Sequence, residues 1–102
     1  MTVGCSGSSS SAPVTVPPNG VLVKHFAFTP STLTVKAGSN VTWVFDDPSN
    51  PHNVDSRSKA LHFSSGDPLP QGTWSFTFTR PGTHAYRCDV HTWMHGTVVV
   101  TR

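Results

Sequence analysis

The chain has few charged residues and no long apolar run. Its 102 residues include 7 Lys and Arg against 5 Asp and no Glu, which gives a net charge of +2. A balance this small and scattered does not predict a nucleic-acid-binding surface. No uninterrupted apolar stretch approaches the length of about 20 residues that a membrane-spanning helix needs. We therefore expect one soluble domain, with no nucleic acid among its partners.

Cysteine is also scarce. The chain contains Cys5 and Cys88 and no other cysteine. A disulfide between them would require a low-complexity segment to dock against the most ordered part of the chain, so we do not expect one. Cys88 is then a free thiol. Such a thiol is either a buried hydrophobic side chain or a chemically active group, and its neighbours decide between the two.

The first 20 residues differ in composition from the rest. "MTVGCSGSSSSAPVTVPPNG" is rich in Ser, Pro and Gly and has no periodicity, which predicts a flexible tail before a single domain at 21–102. The fragment "TVGCSGSSSS" resembles a bacterial lipoprotein junction, where a Ser-rich tether follows a lipidated cysteine. We expect an exported protein that Cys5 anchors to a membrane; the alternative is a disordered tail with an incidental cysteine.

From Val21 onward, short runs of β-branched and aromatic residues alternate with Pro, Gly and Asp. This pattern predicts strands, and no window has convincing helical periodicity. Six such runs favour an all-β antiparallel sandwich or barrel. By contrast, Pro48–Gly72 is polar and contains four prolines, so we expect a long loop that adds little to the core. The runs are 21–28, 31–38, 40–47, 73–79, 83–88 and 96–102.

The stretch "YRCDVHTWMHG", residues 86–96, concentrates metal-binding side chains. Cys88, His91 and Met94 stand at three-residue intervals just after a predicted strand, so one tight loop can direct all three toward a point. Thiolate, imidazole and thioether together favour copper, particularly Cu(I), over zinc, calcium or magnesium. A further ligand must come from elsewhere, and His52 in "NPHNVD" is the candidate, since it follows the apolar run "VTWVF". His95 competes with Met94, and an imidazole there would make the site closer to a tetrahedral zinc site.

These motifs carry a family resemblance. The chain resembles the cupredoxins, small type 1 blue-copper proteins, and is most similar to the plastocyanin, pseudoazurin and amicyanin group. The resemblance spans Phe26 to Thr101 through "FTPSTLTVKAGSNVTWVF", the "HNV" that contains His52, "RPGTHAYRCDVH" and "MHGTVVV". Cys-x2-His-x2-Met is the short loop found in amicyanins. The resemblance implies a Greek-key β-sandwich of about seven or eight strands.

The resemblance also implies roles for individual residues. One copper ion would be held by His52, Cys88 and His91 as equatorial ligands, with Met94 as a long, weak axial ligand. Asn53 would hydrogen-bond across to the loop that bears Cys88 and orient it.

The remaining histidines have no role that the sequence assigns. By loop spacing His95 should point outward, which favours Met94 as the axial ligand. His84 shares a strand face with Tyr86 and is expected to be partly buried. His25 and His62 are expected at the surface.

The function implied by the family is outer-sphere transfer of one electron, with no enzymatic reaction. The exposed edge of His91 would be the exit for the electron, and Trp93 and Pro51 would contribute to an apolar docking patch for transient redox protein partners. We expect a monomer in the periplasm or another extracytoplasmic compartment. The alternative is a copper storage or delivery protein, but the chain has no Met-rich or His-rich tract. A copper oxidase domain would need His-x-His motifs, which are also absent.

Overall fold

The computed structural model describes residues 15–59 and 61–102. Most of the predicted tail, with Cys5 and its proposed lipid anchor, lies outside the described residues, and the first strand begins at Gly20. Within the described ranges, no helix is long and apolar enough to cross a membrane. The strands are β1 (Gly20–Lys24), β2 (Ala27–Thr29), β3 (Thr32–Lys36), β4 (Ser39–Asp46), β5 (Asp55–Ser56), β6 (Gln71–Phe78), β7 (Gly82–Arg87) and β8 (His95–Thr101).

Within the described residues, eight strands form two four-stranded sheets. One has the order β2-β1-β4-β6 and the other β3-β8-β7-β5, which confirms the predicted all-β sandwich. The expectation of antiparallel pairing is wrong for two pairs of neighbouring strands: β1 runs parallel to β4, and β3 runs parallel to β8. The physical reason is the crossover: after the β1–β2 hairpin the chain forms β3 in the opposite sheet and returns as β4, which lies on the other side of β1.

The run 21–28 was predicted as one strand, but it is a hairpin. Lys24 pairs with Ala27, and the two residues between them, His25 and Phe26, have φ values of 54° and 60°. Two positive φ values in a two-residue loop define a type I′ turn, which normally contains Asn and Gly. Since neither residue is a turn former, the sequence contains no signal for this turn.

Aromatic rings fill the space between the sheets. Trp43 on β4 is fully buried, and its ring lies 5.4 Å from that of Tyr86 on β7 and 6.4 Å from that of Phe63. Phe78 on β6 is also fully buried and contacts the Trp43 ring. These contacts join the inner faces of the two sheets directly, so one continuous aromatic core lies between the sheets.

The segment Pro48–Gly72 contributes more to the core than predicted. Val54 and Phe63 are 0% and 2% exposed, and between them β5 pairs with β7. Leu69 forms an isolated bridge with His52. The prediction of a loop outside the core was wrong because these apolar residues occur singly among polar ones and make no periodic pattern.

Gly96 lies where β8 passes close to the Tyr86 ring, and a larger residue there should destabilise the fold. A Cβ atom would stand 2.5 Å from Tyr86 Oη, 2.6 Å from its Cζ and 3.1 Å from the Ser31 carbonyl oxygen. We expect Gly96→Ala to lower the free energy of unfolding by about 1–3 kcal/mol, the usual cost of overpacking a core. Chemical denaturation of the metal-free protein measures this change.

The matched control is His95→Ala, which truncates the exposed neighbour on the same strand. It should change the free energy of unfolding by no more than about 0.5 kcal/mol. Equal effects of the two substitutions would show that the close approach of Tyr86 is not what requires glycine.

Candidate metal centre

One tight loop carries three of the predicted ligands. Strand β7 ends at Arg87 and β8 begins at His95, so the chain between them makes a short excursion at one end of the sandwich. The Cys88 N–H donates to the Met94 carbonyl at 2.9 Å, and the Met94 N–H donates to the His91 carbonyl at 2.9 Å. These two bonds close the loop and keep the backbones of Cys88, His91 and Met94 near one another.

His52 reaches this loop from a different segment of the chain. It follows β4, and its backbone pairs with Leu69 through reciprocal hydrogen bonds of 3.1 and 2.8 Å. The bridge holds the His52 backbone in place at the end of the first sheet. Among the described residues, one group of His, Cys and acidic side chains has potential ligand atoms close to one another. It consists of His52, Cys88 and His91.

The three donor atoms form a triangle of a size that suits one metal ion. The Nδ1 atoms of His52 and His91 are 3.1 Å apart, and Cys88 Sγ lies 3.8 Å from the first and 3.7 Å from the second. A triangle with these edges has a circumradius of about 2.1 Å, and nitrogen and thiolate ligands bind zinc-sized ions at about 2.0–2.3 Å. A single ion can therefore contact all three atoms without rearrangement of the backbone.

The donors differ in their exposure to solvent. His52 and Cys88 are fully buried and Met94 is 2% exposed, within the core cluster that includes Cys88. His91 is half-buried, so one edge of its ring reaches the surface. The side chain of His95 is exposed. The structure therefore places Met94 on the buried side of the loop and His95 on the solvent side.

Asp47 belongs to the site, although sequence reasoning did not identify it. This buried carboxylate follows β4, and its Oδ2 lies 2.9 Å from His52 Nε2. Asn50 Nδ2 donates to Oδ1 at 3.2 Å, and the backbone N–H of His25 also helps to lower the pKa of this carboxylate. The hydrogen bond from His52 is the main reason that the pKa of Asp47 lies below its ordinary value. The pair "DD" at 46–47 was the available signal, but nothing in the sequence shows which aspartate points inward.

The Asp47 contact determines the tautomer of His52. An ionised carboxylate only accepts hydrogen bonds, so Nε2 of His52 must carry a proton. In the neutral ring the lone pair then lies on Nδ1, which is the atom in the donor triangle. The 3.1 Å contact between the two Nδ1 atoms consequently needs a proton on His91, and a metal ion bound between them would replace that proton.

Asn53 joins the two chain segments of the site. Its Oδ1 accepts the Asp89 backbone N–H at 2.8 Å, and its Nδ2 donates to Asp89 Oδ2 at 3.1 Å. Nδ2 is also 3.3 Å from the Gly66 carbonyl oxygen. This is the bond across to the loop of Cys88 that the family resemblance implies, and it connects the residue after His52 to the residue after Cys88.

Phe26 is the second residue that sequence reasoning missed. Its ring meets His52 edge-on at 5.7 Å and His91 edge-on at 4.9 Å, and it lies 6.3 Å from the Trp93 ring. Holding His25 and Phe26 at positive φ costs on the order of 1–3 kcal/mol for each residue. In the sequence Phe26 has the pattern of an ordinary strand residue, so only the turn reveals its position over the two histidines.

The surface at this end of the sandwich is apolar. The exposed large hydrophobic side chains of the described residues are Phe26, Val90 and Trp93, at 40%, 48% and 66% exposure, and all three lie beside His91 in sequence or in space. Trp93 contacts the His91 ring at 5.3 Å. Pro51, the other residue predicted for docking, is also exposed.

The other histidines lie outside the donor triangle. His25 and His62 are exposed, as predicted. His84 is 1% exposed, more completely buried than expected. Its Nε2–H donates to the Arg80 carbonyl at 2.8 Å, and Nδ1 accepts from Ser58 Oγ at 3.3 Å. Both ring nitrogens are satisfied, which is the arrangement of a structural histidine.

The chain has relatives of known family. A family profile described as copper binding proteins, plastocyanin/azurin family, matches residues 18–101. The chain is 34% identical over 90 residues to amicyanin-alpha of Methylorubrum extorquens, covering 78% of this chain and 69% of that protein. It is 38% identical over 84 residues to plastocyanin of Scenedesmus fuscus, covering 72% and 85%.

Solved structures agree with these sequence relatives. A purple cupredoxin from Nitrosopumilus maritimus superposes with a TM-score of 0.72 at 26% identity, over 80% of this chain and 98% of that one. The fold, the donor geometry and the family profile thus indicate the same family. The donors in question are His52, Cys88 and His91. The chain belongs to the plastocyanin/azurin family of copper-binding proteins, the cupredoxins.

Proposed function

We propose that the protein is a one-electron carrier that holds a single copper ion between His52, Cys88 and His91, with Met94 as a weak fourth ligand. The observation that carries this proposal is the donor triangle of two imidazole nitrogens and one thiol sulfur with edges of 3.1, 3.7 and 3.8 Å. Copper bound there supplies a one-electron couple between Cu(II) and Cu(I). Two His, one Cys and a weak axial thioether are the donor set of electron-transfer copper sites.

Rigidity of the ligands supports a carrier more than a storage or delivery protein. Delivery requires a site that opens, whereas His52 and Cys88 are fully buried and the Asn53–Asp89 hydrogen bonds join their segments. A site that keeps its geometry needs little rearrangement when the charge of the ion changes. The side chains therefore keep their positions while an electron enters or leaves.

The choice of Met94 over His95 rests on burial. Met94 is in the core cluster with Cys88, and His95 is exposed at the first position of β8. A residue on the solvent side of the loop cannot approach a buried sulfur unless the first pairs of β8 with β7 break. Met94 is accordingly the fourth ligand in our proposal.

Docking to redox protein partners is proposed at the apolar surface beside His91. The half-buried His91 ring lies between Phe26 and Trp93, and Pro51 is exposed nearby in the chain. Small interfaces of this kind suit transient electron-transfer complexes. The net charge is only +2, so we do not expect strong electrostatic steering toward a partner.

The proposal extends to location. A carrier of this family with a Ser-rich tail after Cys5 fits a monomer outside the cytoplasm, attached to a membrane through a lipid on Cys5. The support is the sequence around Cys5, which lies outside the described residues.

Addition of Cu(II) to the metal-free protein under anaerobic conditions tests the copper site. We expect an intense visible band from charge transfer between the Cys88 thiolate and Cu(II), and a one-to-one ratio of copper to chain. Cys88→Ser should abolish the band, because a hydroxyl oxygen does not provide the soft sulfur donor. His62→Ala, at an exposed histidine outside the triangle, should keep it. A colourless wild-type complex would favour zinc or storage chemistry instead.

A pair of neighbouring substitutions tests the fourth ligand. Met94→Leu removes the thioether but preserves the apolar volume, and should raise the reduction potential by on the order of 60 mV, a tenfold change in the relative affinities for Cu(II) and Cu(I). His95→Ala should leave the potential unchanged. Protein-film voltammetry of both variants measures this. The reverse result would assign the fourth position to His95.

Electron self-exchange between two copies tests the docking surface without a known partner. We expect Trp93→Ser to lower the self-exchange rate by about tenfold, since an exposed aromatic at the centre of a small interface contributes more than about 1 kcal/mol. Thr83→Ala at the far end of β7 is the control. NMR line broadening in mixtures of the two oxidation states gives the rates, and equal rates for both variants would place the contact elsewhere.

A further inference from the structure

We infer that Asp47 and the two-residue turn His25–Phe26 form one positioning bracket that fixes the rings of His52 and His91 in ligand orientation before a metal binds. The bracket deepens the proposed copper site and rests on it. It gives Asp47 and Phe26 roles as positioning residues, and it explains why a strained turn occurs at this end of the sandwich.

The first arm of the bracket is the carboxylate. Asp47 is 8% exposed, and two donors from different places in the chain converge on it: His52 Nε2–H at 2.9 Å and Asn50 Nδ2–H at 3.2 Å. Because the carboxylate accepts from Nε2, it fixes both the rotation of the His52 ring and the tautomer that leaves the Nδ1 lone pair free.

The second arm is the turn. The backbone N–H of His25, the first of the two residues at positive φ, helps to lower the pKa of the same carboxylate that orients His52, so the two groups interact favourably. One group therefore stabilises an otherwise unfavourable backbone conformation and a ligand side chain together. Loss of the carboxylate should disturb both.

The turn directs Phe26 onto the ligands. Interplanar angles of 86° with His52 and 88° with His91 place its ring edge-to-face against both. Among the ring contacts of the described residues, no other aromatic side chain contacts both histidines. His91 lies on a loop and is half-buried, so its ring would otherwise have only Trp93 and His52 as aromatic neighbours.

The residue types at the turn argue for a role in the site. Type I′ turns are most easily made by Asn-Gly, and an Asn-Gly turn would relieve the strain. It would also remove the ring that covers the two histidines. Strain that persists at a ligand cluster, where the surrounding structure imposes it, is characteristic of functional preorganisation.

Asp47→Asn tests the first arm, with Asp46→Asn as its matched control. Asp46 is the preceding carboxylate; it pairs with Lys24 at 3.4 Å, whereas Asp47 bonds to His52. An amide has one acceptor oxygen and a donor group, so it cannot accept from both His52 and Asn50, which bond to different oxygens of the Asp47 carboxylate. We expect Asp47→Asn, and not Asp46→Asn, to weaken Cu(I) binding by about 10–100-fold in competition with a chromogenic chelator.

The metal-free protein provides a readout that does not depend on copper. Nitrogen-15 NMR of the histidine rings should show His52 protonated at Nε2 and unprotonated at Nδ1 in the wild type and in Asp46→Asn, and a mixture of tautomers in Asp47→Asn. A purely structural role for Asp47 would lower stability without changing the tautomer. An unchanged tautomer in Asp47→Asn would overturn the first arm.

The second arm is tested by separating turn strain from the ring. In the double variant His25→Asn, Phe26→Gly the turn is relaxed and the ring is lost, whereas Phe26→Leu keeps the backbone and an apolar side chain. We expect both to bind Cu(I) at least tenfold more weakly than wild type, although the double variant unfolds at equal or higher denaturant concentration. Unchanged affinity in both variants would overturn this arm.

These outcomes are distinguishable from failure of the proposed function. If the wild type binds copper without a thiolate band, the copper proposal fails, yet the histidine tautomers still decide whether Asp47 orients His52. If the wild type gives the band and none of the bracket variants changes affinity or tautomer, the bracket fails and the copper site stands.

Discussion

The side-chain amide of Asn53 joins the two segments that make up the metal centre. His52 and Cys88 are separated by 36 residues of chain, and each is carried by a different sheet of the sandwich. The amide accepts the Asp89 N–H and donates to the Asp89 carboxylate, so the residue after one ligand is bonded to the residue after another. A metal site assembled from two distant segments depends on a connection of this kind, because independent movement of the segments would change the distances between donors.

The rest of the sandwich supports that connection. The core around Trp43 and Tyr86 joins the sheets, and Tyr86 lies two residues before Cys88 on the strand that delivers the thiol. Asp47 supports the second segment, since its carboxylate bonds to the ring of His52. Three buried residues, Tyr86, Asp47 and Asn53, therefore support the segments that carry the ligands. The edge of the His91 ring remains at the surface. This arrangement combines a rigid interior with access for an electron.

Much of the fold could be predicted because its strands have simple local signals. The run that forms β4 is rich in β-branched and aromatic residues, and β6 and β8 are marked by alternation and by valines. The turn at His25–Phe26 could not be predicted, since both residues are poor turn formers and adopt positive φ only in this tertiary context. Phe63 was missed for a related reason: a single apolar residue in a polar segment has no periodic signal, and its burial depends on the space left beside Trp43.

The chemistry of the site was determined by the sequence itself. Cys88 and His91 are brought together by their spacing in one loop, because a three-residue interval leaves little freedom for the two side chains to separate. The tertiary structure alone decided which groups orient those donors. Asp47 reaches the histidines from the end of β4, and Phe26 reaches them from the β1–β2 hairpin of the same sheet. Contacts between segments this far apart in the chain arise from packing and have no counterpart in local sequence pattern.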